Sequence, residues 1–491
     1  MVTLSPNAHR ALQFFSHDRL QEKNPLEPGH KLTTENRWLE TVNYNVAMST
    51  SAANAPARTD WSLIWAAPGF RYFFFAMFIS LFGSGMNFAG VSWHILALTH
   101  STVKVSFQVI VATAPGLLIP FIGGVLIDRY DRRYLGIVLD FVRGVAVLAT
   151  AYVAWRGHLE LWHLYAITFV TGAGSAMYWA NVNALVQEVM PASQFTGANA
   201  AVLIGVQTGM LFAGALVGFI YDRAGIAGIL GIDGLTYFVS AWCLYKLRKG
   251  YVSPRDHLTK YPREFSPTTE ATAEALETAE MPDVAEAGLS LAVYSDLKQG
   301  FAYLRKQPTV RALGTTHSIL MAGVVSANVL IVALAADILH AGARGLGFLE
   351  AGWGLGAVIG GLLASQLPQR LRMTLYALSI AGLALGHLAM PFITFLVAAA
   401  FFQVLFGFFR ALSGVVAQAA LMHIVPRHFM GRTQSAMAVL TTILQLVMSF
   451  ALGWISQQLS IFAGFALLAV IYAFGTLSAF HARGLLRGQN P

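Results

Sequence analysis

Residues able to do chemistry are scarce in this chain, which is 56% apolar and only 11% charged, and they stand out by position. The densest group is GGVLIDRYDRRYL, residues 123–135, between two long apolar stretches. Gly124 leaves room for close packing, and Asp128, Arg129, Asp131, Arg132 and Arg133 crowd the turn that follows. Charges held where an apolar helix meets water make ion pairs that form and break as helices move. Their placement needs a reason, and simple anchoring of topology is one. Arg132 requires a carboxylate partner, and Glu188, at the end of a later apolar run, is the nearest match. Asp140 and Arg143, three residues apart, can pair along one helix face.

Charges deeper in apolar runs are costly and read as functional candidates. Arg410 stands 16 residues before Pro426, whereas the position 16 before Pro191 is Ser175, so the cation has no twin. It can bind an anionic substrate or tune a neighbouring acid, unless it is a structural guanidinium satisfied by carbonyls. Glu350, within about four helical turns of the outer end of its run at 1.5 Å per residue, is the best-placed acid for proton coupling. Asp233 and Asp337 are weaker choices, one on a peripheral run and one interfacial. Asn87, Trp93, Tyr178, Trp179, Asn181, Asn183 and Gln403 offer an aromatic and amide lining for an amphipathic ligand, although aromatics near run ends also serve as interfacial anchors. His94, His317 and His387 sit in separate runs without ligand spacing, which gives no support for a metal. Cys243, the single cysteine, allows no intramolecular disulfide. Neither a phosphate-binding GxxxxGK[ST] loop nor HExxH nor a nucleophile elbow is present, so neither ATP-driven pumping nor familiar hydrolysis is indicated. No cofactor is expected.

The elements that must position these groups follow from the apolar pattern. A spanning helix needs about 20 mainly apolar residues. Twelve such spans are predicted, at 70–98, 103–127, 134–155, 161–187, 195–220, 226–246, 310–338, 345–367, 372–390, 392–424, 432–456 and 461–481. Of the 32 Lys and Arg, 26 fall in the leader, the even-numbered turns and the tail, four on the other face (Lys104, Arg156, Arg223, Arg344) and two within spans. That excess places both termini in the cytoplasm. The net charge of +8 is thus topological and does not form a nucleic-acid-binding face. Residues 1–66 read as a mobile cytosolic leader without a signal peptide, and Met48 is a candidate true start. Residues 67–247 form one bundle and 309–484 a second, with 485–491 as a tail. Between them, 248–308 is a cytoplasmic linker: Glu264–Ala287 holds seven acids and no Lys or Arg, after which Val293, Leu297, Phe301 and Leu304 recur at helical spacing.

The two bundles carry a shared text. GGVLIDRYDRRYL has a worn copy, GGLLASQLPQRLR, at Gly360–Arg372, offset by 237 residues (361 minus 124), with Ser365 in place of Asp128. LVQEVMP, ending at Pro191, pairs with ALMHIVP, ending at Pro426, offset by 235. Two pairs at nearly one offset indicate a duplicated unit.

GGVLIDRYDRRYL resembles the signature loop between helices two and three of the major facilitator superfamily, with Asp131 where the family pattern has an inner Gly. That variant, together with the turn Thr99–Ser101 and SDLKQGFAYLRKQP, is similar to the efflux branch that includes enterobactin and macrolide exporters. The resemblance, covering about residues 62–484, implies an all-α membrane protein of twelve transmembrane helices in two pseudo-symmetric six-helix bundles. It implies that Asp128 faces the start of helix eleven near Gly431–Thr433, where free backbone N–H groups favour an anion, and latches the cytoplasmic side. Relatives often place an acid in helix one; here LFGSGMN has Ser84 after Gly83. Gly205, Gly209, Gly214 and Gly218 partly match a glycine-rich helix-five motif of antiporters, without its Gly-Pro pair, and equally suit plain helix packing. The expectation is a monomeric, proton-coupled exporter of a small amphipathic molecule in a bacterial-type inner membrane, in contact with lipid. An importer or lysolipid flippase shares these motifs, and a non-transporting sensor is a third reading.

Overall fold

The computed structural model describes residues 68–117, 119, 130–190, 195–247, 289–364 and 366–488. Gly124, Asp128, Arg129, the leader, the acidic part of the linker and the last residues of the tail lie outside them. No strand occurs among the described residues. The helices are α1 (Pro68–Thr99), α2 (Thr102–Thr113), α3 (Arg132–Trp155), α4 (Leu161–Val189), α5 (Phe195–Lys246), α6 (Leu289–Lys306), α7 (Pro308–Ala333), α8 (Gly342–Ala364), α9 (Gln369–Ala389), α10 (Leu396–Ile424), α11 (Arg427–Gln458) and α12 (Ile461–Gly488). Nine helices in the described residues are long and apolar enough to cross a membrane.

Local chemistry sets the boundaries. Asp131 is the N-cap of α3, its Oδ1 accepting from the backbone N–H of Arg133 at 2.9 Å and Tyr134 at 3.3 Å. A carboxylate at this place caps the orphan donors of a helix start, which accounts for Asp standing where the family loop has Gly. Ser101 caps α2 through Lys104 N–H, Pro308 opens α7, and Glu160 with His163 forms a capping box on α4. The stretch Phe195–Lys246, α5, holds two helices that meet at Gly225, as the predicted spans 195–220 and 226–246 require; its φ of 60° and ψ of −162° are not helical, and the positive φ suits a residue without Cβ. Span seven ends in a π-helical turn, Leu334–Ile338.

The duplication is visible in the backbone. His100 after α1 and His340 after the π turn both take a left-handed conformation, φ 48° and 47°, at an offset of 240 residues (340 minus 100). Within the first half, α1 and α3 both pack on α5; within the second, α8 packs on α10, α9 on α12, and α7 on α11 and α12. Two seams join the halves, α5 against α8 and α2 against α11. Large apolar side chains are exposed around the outside, with Trp155, Phe395, Val397 and Leu477 between 66% and 83% accessible. Such a surface is stable against lipid tails, not water. The amphipathic linker segment is helical as α6. It lies on the start of α11: a Cβ on Gly300 would meet the carbonyl of Arg432, and Tyr303 stacks on Phe429 at 4.9 Å.

Candidate functional site

A cavity of about 640 Å³ opens between the halves. From the first half come Phe88 on α1, Trp179 on α4, and Gln207 and Met210 on α5. The second supplies Asn328, Glu350, Trp353, His387, Gln403, Arg410 and Tyr472. Close packing of α8 on α10 fixes much of that wall, since a Cβ on Gly407 would lie 2.0 Å from the Trp353 carbonyl oxygen. Only a residue without a side chain permits this approach, and it holds Glu350, Trp353, Gln403 and Arg410 on one surface.

The two charges of that wall have unspent bonding capacity. Arg410 Nη2 lies 3.4 Å from the Met321 thioether, a weak acceptor, and its Nε is buried without a partner. Glu350 has no hydrogen-bond partner among the described residues. His387 stacks on Phe406 at 4.1 Å, and its Nδ1 lies 2.8 Å from the Leu383 carbonyl, so its ring is a fixed plate in the wall. A cation, an acid and aromatic faces around a space of this size suit a small amphipathic molecule carrying an ionised group.

A second chamber of about 460 Å³ adjoins the first, sharing Phe88, Trp179 and Val325. It is lined by hydroxyls and amides, among them Ser84, Asn87, Gln108, Thr113, Thr171, Ser175, Tyr237 and Gln445, and, among the described residues, by no charged side chain. Behind Asn87 lies a buried cluster. Arg143 donates to Asp140 Oδ1 in a short hydrogen bond. Ser240 donates to Asp140 Oδ2 at 2.6 Å, and Asn87 Nδ2 donates to Asp233 Oδ2 at 2.5 Å.

The seams close over the end of the molecule where α1 finishes. There Thr102 donates its N–H to Gln457 Oε1 at 2.9 Å and its hydroxyl to the Gly453 carbonyl at 2.8 Å. Farther along, Gln445 Nε2 donates to Thr113 Oγ1 at 2.5 Å. On the other seam, Arg344 Nε is 2.5 Å from Asp222 Oδ2, and its guanidinium lies 5.5 Å from the Phe219 ring centre. The four helix-five glycines divide by face. A Cβ on Gly205 or Gly209 would meet α1, whereas one on Gly214 or Gly218 would meet the backbone of α8, at 2.5 Å from Ala351 N and 2.4 Å from Arg344 Cα. They serve packing within the half and between halves at once.

Among the residues singled out from sequence, Arg410, Glu350, Trp179 and Gln403 share the large cavity, and Asn87 with Trp179 lines the polar chamber. Asn181 is not in either wall. It is buried, and its Nδ2 donates to the Arg132 carbonyl at 2.8 Å, so its amide holds α4 to the start of α3. Arg132 Nη1 is 2.6 Å from Glu188 Oε1. Arg133 is buried over the Tyr134 ring. His94 Nδ1 lies 2.6 Å from the Tyr221 hydroxyl. Asp233, set aside as peripheral, is fully buried beside Asn87; a peripheral helix still has an inner face, and Asp at its middle was the available signal. The Asp222–Arg344 bridge was hidden because both residues read as loop charges.

A family model described as Major Facilitator Superfamily matches residues 73–326. The enterobactin exporter EntS of Salmonella typhi is 26% identical over 383 residues, covering 76% of this chain and 83% of that protein. The protein of the same name from Escherichia coli O1:K1 / APEC is 24% identical over 373 residues, covering 76% and 81%. A crystal structure of a POT family transporter in complex with a thioalcohol-conjugated peptide superposes with a TM-score of 0.58 at 13% identity, over 83% of this chain and 94% of that one; a POT family transporter complex with 5-aminolevulinic acid gives the same values. The helical duplication, the cavity between the halves and these matches make the chain a multi-pass membrane transporter, not an enzyme, that belongs to the Major Facilitator Superfamily.

Proposed function

We propose that this protein exports a small amphipathic molecule across a bacterial-type inner membrane in exchange for protons, with both termini in the cytoplasm. The observation that carries the reading is the cavity shared by both halves, in which, among the described residues, Arg410 bonds only weakly, to the Met321 thioether, and Glu350 has no hydrogen-bond partner. Similarity to enterobactin exporters favours the outward direction. With the termini inside, the seal formed by Thr102, Gln457, Arg344 and Asp222 lies on the outer face, so the cavity loads from the cytoplasm. Arg410 offers its free donors to an anionic group of the cargo, and Trp179, Trp353 and Phe406 cover the apolar remainder.

Glu350 belongs to the cavity wall and to the outer seam at once, because the backbone of α5 at Gly214 rests against it. Gain or loss of its proton therefore acts on the cargo site and on the α5–α8 contact together, which is the requirement for exchange. Rocking of the halves then opens the outer seal, with Asp128 and the turn before α3 closing the inner side. The test is uptake into inverted membrane vesicles with an acid lumen, using enterobactin and a set of unrelated amphipathic acids. Uptake of at least one that collapses with a protonophore is expected; uptake confined to right-side-out vesicles, or indifferent to the gradient, overturns the proposal.

A further inference from the structure

The first half contains a charge arrangement that transport of an anionic cargo through the large cavity does not use. Asp140 and Arg143 on α3 and Asp233 on α5 are all buried, at 0%, 2% and 0% accessibility. Every packed element contributes a facing group: Ser84 and Asn87 from α1, Tyr178 from α4, and Thr236, Tyr237 and Ser240 from α5. The titratable members are the two aspartates, Arg143 and the two tyrosines. The Arg143 guanidinium lies 4.4 Å from the Tyr237 ring centre and 5.2 Å from that of Tyr178.

Counting charge shows the imbalance. With both aspartates ionised, one guanidinium faces two carboxylates and the cluster carries a net charge of −1 in a medium where an uncompensated charge costs several kcal/mol or more. The hydrogen bonds show where the excess falls. Asp140 is satisfied on both oxygens, by Arg143 and by Ser240. Asp233 is satisfied on one: Oδ2 receives the Asn87 amide, while Oδ1 is buried with no partner among the described residues. Thr236, the nearest hydroxyl in sequence, spends its proton on the Asp233 carbonyl. A lone buried carboxylate oxygen is the costly state, and a proton on it removes both the excess charge and the unmet acceptor.

We propose that the Asp140–Arg143–Asp233 cluster is a proton-binding site, holding one proton on Asp233 while Asp140 stays ionised against Arg143. The route to water is short. Asn87 and Tyr237 are walls of the polar chamber, and Ser84, 2.9 Å from the Tyr237 hydroxyl, is a third. A chamber water that reaches past Asn87 takes the proton as the O–H bond of Asp233 breaks, the Asn87 amide remaining on Oδ2 to hold the carboxylate, and the cluster is left at −1 until a proton returns. This places a second titratable site in the half opposite Glu350. Its use in coupling rests on the proton exchange proposed above, but its existence does not.

Difference infrared spectroscopy of the full-length protein in lipid, titrated with alkali, reads the carboxylic acid C=O stretch directly. A protonated-acid band that disappears at high pH is expected, shifted to lower frequency in protein labelled with carboxyl-¹³C aspartate. Glu350→Gln should leave the aspartyl band in place. Asp233→Asn should abolish it; so should Asp140→Asn, which leaves one acid for one guanidinium. Absence of any label-shifted acid band in the aspartate-labelled protein, or an aspartyl band that survives both variants, overturns the site; a band left at the unlabelled frequency belongs to a glutamic acid such as Glu350, and the labelling result stands even if a variant does not fold. If the wild type shows the band but its transport ignores the pH gradient, the exchange reading falls and the proton site stands.

Discussion

The two halves bury charge in opposite ways. In the first, Arg143 is enclosed by Asp140, Tyr178, Tyr237 and, behind Asn87, Asp233. In the second, Arg410 meets a thioether and Glu350 has no hydrogen-bond partner among the described residues. Both guanidiniums sit in the middle of apolar helices, so burial alone does not separate them; what separates them is the remaining bonding capacity. The first half consumes its cation for its own stability and proton balance. On the function proposed above, the second keeps its cation at the wall of the larger cavity for the cargo.

The largest effect should come from breaking the enclosed pair. Arg143→Ala leaves two buried aspartates without a cation and should cost about 3–5 kcal/mol, seen as a large fall in melting temperature and folded yield in detergent. Arg410→Ala removes a cation with no carboxylate to orphan, so its melting temperature should stay near wild type. Equal destabilisation by both would erase the distinction. Next in size is ligand recognition: Arg410→Gln removes a charge-assisted contact of about 1.5–3 kcal/mol, so a transported acid should bind roughly 10- to 100-fold more weakly, by the tenfold-per-1.4 kcal/mol rule.

Two substitutions at the seam sharpen the comparison by testing what joins the halves. Gly218→Val would drive Cβ to within 2.4 Å of Arg344 Cα, and overpacking of this kind costs about 1–3 kcal/mol. The sealed state alone bears that cost, so a cysteine placed at Val325 should react faster with a membrane-impermeant thiol reagent added from the sealed side. Arg344→Ala should have the smallest effect, under about 1 kcal/mol, because Arg344 and Asp222 are 53% and 36% exposed and solvent screens them. It should shift the labelling rate slightly and leave the melting temperature almost unchanged.

Much of this was legible in the residues. Apolar run length gave the helices, since a span is long and its signal strong; the repeat text gave the duplication, which His100 and His340 then echo in backbone conformation. Arg410 and Glu350 were legible because a charge in an apolar run has few innocent explanations. Partnership across sequence was not. Asn87 and Asp233 are 146 residues apart and Thr102 and Gln457 are 355 apart, and no local pattern encodes either pair. Asn181 misled for the same reason: an amide on an inward helix face fits a ligand or a carbonyl equally, and only the approach of α3 decides. The break at Gly225 was legible, because a glycine between two apolar runs reads as an interruption and its backbone there is not helical.

The proposed export requires that the Arg410 guanidinium bind cargo. Isothermal titration of purified wild-type and Arg410→Gln protein with an acid that the wild type transports tests this most directly. At least a tenfold loss of affinity with an unchanged melting temperature is the predicted result. Equal affinity in the two proteins would contradict it.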